Sequence, residues 1–454
     1  MFKKSKQPDP DKIGAKTMLL WCSNGASAAV QIVLLGYLTM YCSNALMMDT
    51  KIVGSILGAS KLLDAFTDLL AGYVVDKTNT RLGRGRPYDL CVIGLWVTTW
   101  LLFSVPTAFS TTAKCVWIFI CYALCQSVFK TFMNAAGTAY MVRAFNNSQK
   151  YVKLSTYGGL LTTAVVMVFN VIMPRMVARV LPDPAGWSSL VLFLAIPMAI
   201  IGSLRFFFIP EKYAVDDSKN EHTTLKDIVR LLKNNKYVYP VMGLQFLVNF
   251  AGSLGVGGYY FLYIVGNMEI SGFMSIFTIF ALVTMFFYPA ILKKISTRKL
   301  IQYATLSTII SGVLSFIAYD NLVLLAIAAI FLGVAQLPPS YMGGLLIIDC
   351  ADYNEWKKMP RMEGTLGSVV GFATKVGTAA AAVVVGWALS LSGFNAELAV
   401  QPDSAIMMIR ILYAFAPTAL FLLAGFVMNF FKIDENREEI NADLEAYRKQ
   451  LTEE

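Results

Sequence analysis

The sequence predicts an all-α membrane protein with twelve transmembrane helices in two six-helix halves. Of its 454 residues, 56% are hydrophobic and only 15% are charged, whereas a soluble globular protein carries about 25% charged residues. Apolar runs of about 20 residues, the length needed to cross a bilayer, recur along the chain. Connections rich in lysine and arginine alternate with connections that are poor in both. These three observations indicate a chain that is solvated by lipid.

The apolar runs number twelve, and each is long enough for one span. Inside a bilayer every backbone N–H and C=O group must be bonded within the protein, so runs of this length are expected to be helices. The short alternating strands of a membrane barrel do not occur in the pattern. The runs cover approximately residues 17–41, 51–75, 89–110, 113–142, 154–175, 186–210, 238–264, 270–292, 300–319, 321–348, 364–392 and 405–431.

The distribution of basic residues predicts the orientation. Most of the 38 lysine and arginine residues lie in the two tails, which we expect to be cytoplasmic, and in the even-numbered connections. The odd-numbered connections contain only Lys51, Lys114, Arg175 and Arg179. Because cytoplasmic connections are enriched in lysine and arginine, both termini are predicted to be cytoplasmic. The formal charge of +9 is explained by topology, and we expect no nucleic-acid partner.

The connection between the sixth and seventh runs divides the chain into its halves. Within it, residues 223–233 place apolar side chains at helical spacing opposite basic ones, which predicts a short helix on the membrane surface. The predicted order is an N-terminal tail, a six-helix bundle, the cytoplasmic central loop, a second six-helix bundle and a C-terminal tail, at residues 1–16, 17–210, 211–237, 238–431 and 432–454.

Two aspartates lie in the middle of the second apolar run. A charge at the bilayer centre costs about 2.5–3.5 kcal/mol, and such residues usually serve function. Asp64 and Asp68 share one helical face with Lys61, and Thr67 adds a hydroxyl beside them. Carboxylate and hydroxyl oxygens suit a small hard cation such as Na⁺. Repulsion between the carboxylates also favours proton binding, so Na⁺ and H⁺ both stay open as the coupling ion.

Lys375, in the middle of the eleventh run, is a candidate switch for this cation site. A lysine can occupy the carboxylates when the cation is absent and leave when the cation binds. The alternative is that Lys61 and Lys375 neutralise the two aspartates in a permanent ion pair. Thr131 in the fourth run is a further candidate oxygen ligand.

Polar residues inside several runs are candidates for substrate binding. In the fourth run, Lys130, Asn134 and Thr138 lie along one helical face, where the amide and hydroxyl suit a polyhydroxylated ligand and the lysine suits an anionic one. The alternative for Lys130 is snorkelling or an internal ion pair. Polar residues in the other runs are, taken singly, more often inter-helix hydrogen bonds. These further candidates are Asn24, Gln31, Gln245, Asn249 and Gln336.

Charged residues beside two even-numbered connections are candidates for a cytoplasmic gate. The second run ends in Gly72-x-x-x-Asp76 and is followed by three arginines, which can pair with acids across helix ends or merely set topology. A second group of acids and bases follows the tenth run. The gate candidates are Asp76, Arg81, Arg84, Arg86, Asp352, Glu355, Arg361 and Glu363.

Three of these segments resemble one transporter family. The motif Lys61-Leu-Leu-Asp64-Ala-Phe-Thr67-Asp68, the loop at 76–87 and the segment at 349–364 are similar to those of the glycoside–pentoside–hexuronide:cation symporters of the major facilitator superfamily. The resemblance implies the major facilitator fold and a sugar symporter driven by Na⁺, H⁺ or Li⁺. It also implies that the cation is bound by Asp64, Asp68 and Thr131 and that Lys375 lies nearby.

The sugar site departs from the pattern of this family. Two positions at which a member of the family carries sugar-binding acids match Ala28 and Asn134 here. The loss of these acids, together with the presence of Lys130, makes an acidic sugar such as a uronide a candidate substrate.

Two other functions stay open from the sequence. One is a lysolipid symporter of the same superfamily. The other, a polytopic membrane enzyme, is disfavoured because the only histidine, His222, lies in a polar connection and the seven cysteines lack metal-ligand spacing. We expect no cofactor beyond the coupling ion, and as partners a sugar-type solute, a monovalent cation and the lipid bilayer. The absence of a recognisable signal peptide suits a bacterial cytoplasmic (inner) membrane.

Overall fold

The regular structure of the protein is helical. The computed structural model describes residues 13–78, 80–145, 148–213, 232–280, 283–284, 287–359, 362–398, 400–436, 439–440 and 442–443. Within these residues every regular element is a helix, and strand-type pairing is limited to an isolated bridge between Thr80 and Gly83. The prediction of an all-α protein is confirmed.

The helices follow the twelve predicted runs in order. We number them α1 to α12 and keep one number where a helix is interrupted. The first six are α1 (Ala15–Leu35, continued by Leu38–Met40 and Tyr41–Ala45), α2 (Thr50–Lys77), α3 (Cys91–Leu102), α4 (Thr111–Tyr122, continued by Ala123–Lys130 and Thr131–Phe145), α5 (Ser148–Val180) and α6 (Pro184–Phe208). The others are α7 (Val238–Gly252 and Gly257–Tyr263), α8 (Ile270–Phe280 and Tyr288–Leu292), α9 (Thr297–Ala318), α10 (Leu322–Trp356), α11 (Glu363–Leu391) and α12 (Asp403–Val427).

Among the described residues, nine helical segments are long and apolar enough to cross a membrane. The three remaining predicted spans are also helical. Helix α2 has 28 residues but carries charges in its middle, α3 has only 12 residues, and parts of the α8 region lie outside the described residues. The nine segments are Ala15–Ala45, Thr111–Phe145, Tyr157–Val180, Pro184–Phe208, Val238–Tyr263, Thr297–Ala318, Leu322–Trp356, Thr365–Leu391 and Asp403–Phe430.

The chain separates into two compact units. The first unit comprises Met1–Tyr41 and Phe66–Asn220, and the second comprises Cys42–Ala65 and Glu221–Glu454. The division after Asn220 falls inside the predicted central loop. Residues 42–65, which the sequence places in the first bundle, instead belong to the second unit. The surface helix predicted at 223–233 lies outside the described residues, apart from its last two positions.

Glycine explains why the first half of α2 packs in the second unit. A Cβ atom on Gly54 would lie 2.5 Å from the carbonyl oxygen of Ala382 and 2.9 Å from the Cα of Gly386, both on α11. A side chain has no room at such a distance, so the two helices meet backbone to backbone. Small residues at helix contacts are the usual means of close packing in membranes.

The C-terminal tail takes part in the core of the second unit. Ile433 and Ile440 are 3% and 2% exposed and pack in the same apolar cluster as Leu244 and Leu346. Trp356 at the end of α10 donates its ring N–H to Asp443 at 2.9 Å. The described part of the tail is therefore docked on its own unit.

Candidate functional site

The first unit holds one of the two intramembrane aspartates. The hydroxyl of Thr131 on α4 donates to Asp68 Oδ1 on α2 at 2.8 Å. Thr131 is buried, whereas Asp68 is exposed. The carboxylate is thus oriented by a buried hydroxyl.

A wide helical turn positions Thr131. Residues Ala123–Lys130 of α4 form a π-helix, in which backbone hydrogen bonds span five residues instead of four. The N–H of Thr131 bonds to the carbonyl of Gln126, and the hydroxyl of Thr131 lies 3.1 Å from the same oxygen. Segments of this kind occur often at functional sites.

The second unit holds the other aspartate. Lys375 Nζ on α11 lies 3.0 Å from Asp64 Oδ2 and donates to the main-chain oxygen of Asp64 at 3.1 Å. The two side chains are only 23% and 19% exposed. At this separation and an effective dielectric of about 20, the Coulomb attraction is about 5 kcal/mol before desolvation is subtracted. The side chains of Lys375 and Asp64 therefore neutralise one another in this conformation.

Lys61, the other lysine predicted to lie near the two aspartates, has a different contact from Lys375. Lys61 Nζ donates to the main-chain carbonyl of Thr378 on α11 at 3.3 Å. Helix α2 is continuous from Thr50 to Lys77, so its two acids lie one turn apart with Thr67 between them. Each acid has its own partner within its own unit.

The substrate candidates of the first unit fall into two groups. Asn134 is exposed, and Lys130 is partly exposed and donates to the carbonyl of Ala28 at 3.4 Å. Asn24 and Gln31 are buried: Asn24 donates to the carbonyl of Gly202 on α6, and Gln31 donates to Thr99 and Cys125. In this conformation these two residues join helices and line no accessible surface. The side chain of Thr138 lies outside the described part of the structure.

The candidates of the second unit gather where α7 faces α10. Gln245 donates to the carbonyl of Pro339 at 3.2 Å, and the absence of a side chain at Gly343 makes room for it. Asn249 donates to the carbonyl of Gln245 one turn earlier at 2.8 Å. Gln336 lies on the opposite helix beside Gly252. The three amides are partly exposed and near one another along these two helices.

The loop between α2 and α3 is shaped by a residue that the sequence pattern did not single out. Glu211, just after α6, accepts the backbone N–H groups of Arg84, Gly85 and Arg86 at 3.0, 2.8 and 2.7 Å. Successive N–H groups that converge on one anion form a nest. Gly83 has a φ of 115°, and a Cβ atom there would collide with the Glu211 carboxylate. The glycine of the motif is thus required by backbone conformation and by close approach together.

A buried ion pair supports the same end of the first unit. Arg205 on α6 donates to both carboxylate oxygens of Asp89, with its Nε at 2.7 Å. The guanidinium stacks on Trp21 and Tyr140, with centroid distances of 4.7 and 5.3 Å. The ion pair and the ring contacts together offset the cost of burying the charged guanidinium inside a membrane protein.

Several of the predicted gate residues lie outside the described part of the structure, so most of the predicted gate pairs stay predictions. Asp352 and Glu355 lie partly exposed near the end of α10. Arg361 and the side chains of Asp76 and Glu363 lie outside the described part of the chain. Arg86 donates its Nε to the carbonyl of Phe206 at 2.9 Å, a contact with α6 within the first unit.

Comparison with known proteins gives a consistent result. Residues 23–435 match the family described as MFS/sugar transport protein. An isoprimeverose transporter of Lactiplantibacillus pentosus is 28% identical, over 90% of this chain and 86% of the relative. An uncharacterized symporter of Bacillus subtilis (strain 168) is 28% identical, over 88% of each.

The same fold occurs in a solved transporter. The crystal structure of a mutant of the nucleoside transporter NupG superimposes with a TM-score of 0.69 at 14% identity, covering 92% of this chain and all of that one. This likeness concerns the fold alone. With helices at each predicted run in the described residues and a family match over nearly its whole length, the chain belongs to the MFS/sugar transport protein family, the members of which are transporters and not enzymes.

Proposed function

We propose that this protein is a symporter that uses a cation gradient to import a sugar, glycoside or uronide by alternating access. The observation that carries the proposal is the Lys375–Asp64 ion pair, formed one helical turn from an Asp68 that Thr131 orients. Ionisable residues inside membrane spans are costly and usually serve function, which favours a role for these charges in transport. The relatives named as a sugar transporter and as a symporter support the same function.

The cation site proposed for this function consists of Asp64, Thr67, Asp68 and Thr131. In the state seen here Lys375 neutralises Asp64. An incoming cation competes for that carboxylate and releases Lys375. One positive charge therefore lies beside Asp64 both before and after the exchange. The lysine acts in this mechanism as a switch that exchanges places with the ion.

The cation and the sugar are coupled through their binding free energies. The membrane potential contributes about 2.3 kcal/mol per charge for each 100 mV, which drives an inward-moving cation. If the bound cation raises the affinity for the sugar, linkage requires that the sugar raises the affinity for the cation by the same factor. Neither ligand then crosses efficiently alone.

The proposed sugar-binding residues are those that can offer hydrogen bonds to hydroxyl groups. In the first unit Asn134 is exposed and Lys130 is partly exposed, and Lys130 suits the carboxylate of a uronide. In the second unit the candidates are the amides Gln245, Asn249 and Gln336. Substrate sites of such transporters lie near the bilayer midplane, and the two halves alternate in opening.

The proposed location is a bacterial cytoplasmic membrane with both termini in the cytoplasm. The excess of lysine and arginine in the tails and even-numbered connections supports this orientation. The loop that carries Arg81, Arg84 and Arg86 then faces the cytoplasm, where it would form part of the gate together with Asp352 and Glu355.

Uptake into proteoliposomes tests the proposal. Labelled neutral sugars, uronides and a lysolipid are offered under an inward Na⁺ gradient, an inward proton gradient or no gradient. Wild type is compared with Asp68→Asn and with Glu397→Gln, which changes an exposed acid in the loop after α11. We expect gradient-driven accumulation of one sugar class that Asp68→Asn abolishes and Glu397→Gln preserves. Accumulation of a solute that neither gradient nor Asp68→Asn affects would refute coupled symport.

A further inference from the structure

Arg410 on α12 carries a charge that the protein itself leaves largely unsatisfied. It lies about two turns into the helix and is partly exposed. One Nη group donates to the main-chain carbonyl of Phe316 near the end of α9 at 2.6 Å, whereas its Nε is buried without a hydrogen-bond partner. Among the residues that the structure describes, no carboxylate forms an ion pair with Arg410, the exposed Asp320 just after α9 included. Because a guanidinium has five N–H donors, one carbonyl uses little of its capacity.

Capping of α9 does not account for the whole side chain of Arg410. The end of α9 has a second donor, since the hydroxyl of Tyr260 on α7 lies 3.2 Å from the carbonyl oxygen of Ser315 and 2.7 Å from that of Tyr319. Tyr260 also stacks on Tyr413 of α12, with ring centroids 4.1 Å apart. The end of α9 is thus held largely by a neutral residue. An arginine within a predicted span is costly, so its charge requires a further reason.

Aromatic rings lie against the guanidinium of Arg410. Its central carbon is 4.3 Å from the ring centroid of Phe316 and 5.2 Å from that of Tyr319. Phe316 packs in turn on Phe415 of α12, with ring centroids 4.8 Å apart. Tyr319 and Phe415 are both exposed. Tyrosine and arginine near the end of a membrane helix are typical of the level of the lipid headgroups.

Helices α9 and α12 present an apolar surface beside Arg410. The two helices pack directly, and the hydroxyl of Thr418 on α12 donates to the carbonyl of Thr308 on α9 at 3.0 Å. Large apolar side chains at intervals of three or four residues stay exposed along both helices, so each helix shows one apolar face. These residues, the α9/α12 stripe, are Leu306, Ile310, Val313, Ile317, Ile411 and Phe415. Their side chains offer a polar solute no hydrogen bond, whereas acyl chains match them.

We propose that Arg410 binds the phosphate group of a phospholipid, the acyl chains of which lie along the α9/α12 stripe. The Nη hydrogens that Phe316 does not use form charge-assisted hydrogen bonds with the phosphate oxygens. The rings of Phe316 and Tyr319 hold the guanidinium in place for this contact. A net-negative lipid is favoured over a zwitterionic one, because the ammonium of the latter repels the guanidinium. The site lies within the second unit, apart from the residues proposed for the cation and the sugar.

Lipid binding to the detergent-purified protein tests this site. Phosphatidylglycerol, phosphatidylcholine, a diacylglycerol with the same acyl chains and inorganic phosphate are each added during thermal unfolding, and retained lipid is counted by native mass spectrometry. Wild type is compared with Arg410→Gln and with Lys299→Gln, which removes an exposed charge from the other end of α9. We expect phosphatidylglycerol to raise the unfolding temperature of wild type and Lys299→Gln the most, and its affinity to fall about tenfold in Arg410→Gln. Arg410→Lys, which keeps the charge, should keep part of the effect.

Three results would overturn the inference. An equal effect of diacylglycerol and phosphatidylglycerol on wild type would show that the α9/α12 stripe alone binds lipid, and this comparison holds even if Arg410→Gln fails to fold. An equal effect of inorganic phosphate would assign Arg410 to a free anion instead of a lipid. If Arg410→Gln lowers the unfolding temperature without lipid but responds to phosphatidylglycerol as wild type does, the arginine only caps α9. None of these results bears on the proposed symport, which sugar uptake by the same variants tests separately.

Discussion

Removing the charge of Lys375 is the most direct perturbation of the proposed switch. Its ion pair with Asp64 spans 3.0 Å between side chains that are mostly buried. The gross attraction of about 5 kcal/mol is reduced by desolvation, and a hydrogen bond between charged groups is worth about 1.5–3 kcal/mol net. A cation must overcome this amount to bind Asp64. In Lys375→Ala we therefore expect the half-saturating cation concentration to fall about 10- to 100-fold.

The same substitution should slow the return of the empty carrier. Without Lys375 and without a cation, Asp64 loses the lysine that neutralises it in this conformation, and losing one partner of a buried pair costs about 3–5 kcal/mol. Net uptake requires this empty step, whereas exchange of labelled for unlabelled sugar does not. We expect Lys375→Ala to reduce net uptake at least tenfold and to preserve exchange, and Lys375→Arg to keep part of both.

The assay is proteoliposome transport over a series of cation concentrations, in net-uptake and exchange modes. Asp64→Asn combined with Lys375→Ala serves as the matched control, because it removes both charges and should restore return of the empty carrier while losing cation affinity. If Lys375→Ala leaves the cation dependence unchanged, the lysine is a static partner and the switch is wrong.

Further substitutions test the features that support the site. Glu211→Ala should expose the loop between α2 and α3 to trypsin and lower the unfolding temperature in detergent, because three backbone N–H groups lose their acceptor at about 1 kcal/mol each. Gly54→Val should reduce uptake strongly, since its side chain overlaps α11 at a cost of about 1–3 kcal/mol or more, whereas Gly371→Ala on α11 has open space and should transport normally. Arg205→Met should destabilise the protein by about 3–5 kcal/mol by leaving Asp89 buried without its cation, and unchanged thermal unfolding would contradict the assigned ion pair.

Much of the fold could be predicted because the bilayer constrains it so strongly. The apolar runs had to be helices, and the described residues are helical at all twelve of them. The unusual residues were also visible in the sequence, because an aspartate or lysine within an apolar run stands out by its cost. This is why Asp64, Asp68 and Lys375 were found before any contact was known.

The grouping of the segments was harder to predict. The hydrophobic pattern places residues 42–65 in the first bundle, whereas the structure packs them with the second unit. Glycines at 54 and 386 allow that packing, but a glycine in a sequence does not show which helix approaches it. Asn24 and Gln31 were candidates for substrate binding, and the structure places both in helix contacts. A polar residue in a span is compatible with either place until the neighbouring helices are known.

The sequence by itself determined which residues lie in membrane spans and which charges need a partner, because transfer into lipid acts on each segment separately. The tertiary structure alone decided the partners. Asp64 and Lys375 are 311 residues apart, Asp68 and Thr131 are 63 apart, and Glu211 meets a loop 126 residues earlier. The tertiary structure also decided the π-helical segment of α4, because an α-helix at the same residues would have the same hydropathy pattern. Such contacts depend on how helices pack, and packing depends on side-chain shapes at distant positions that no local pattern contains.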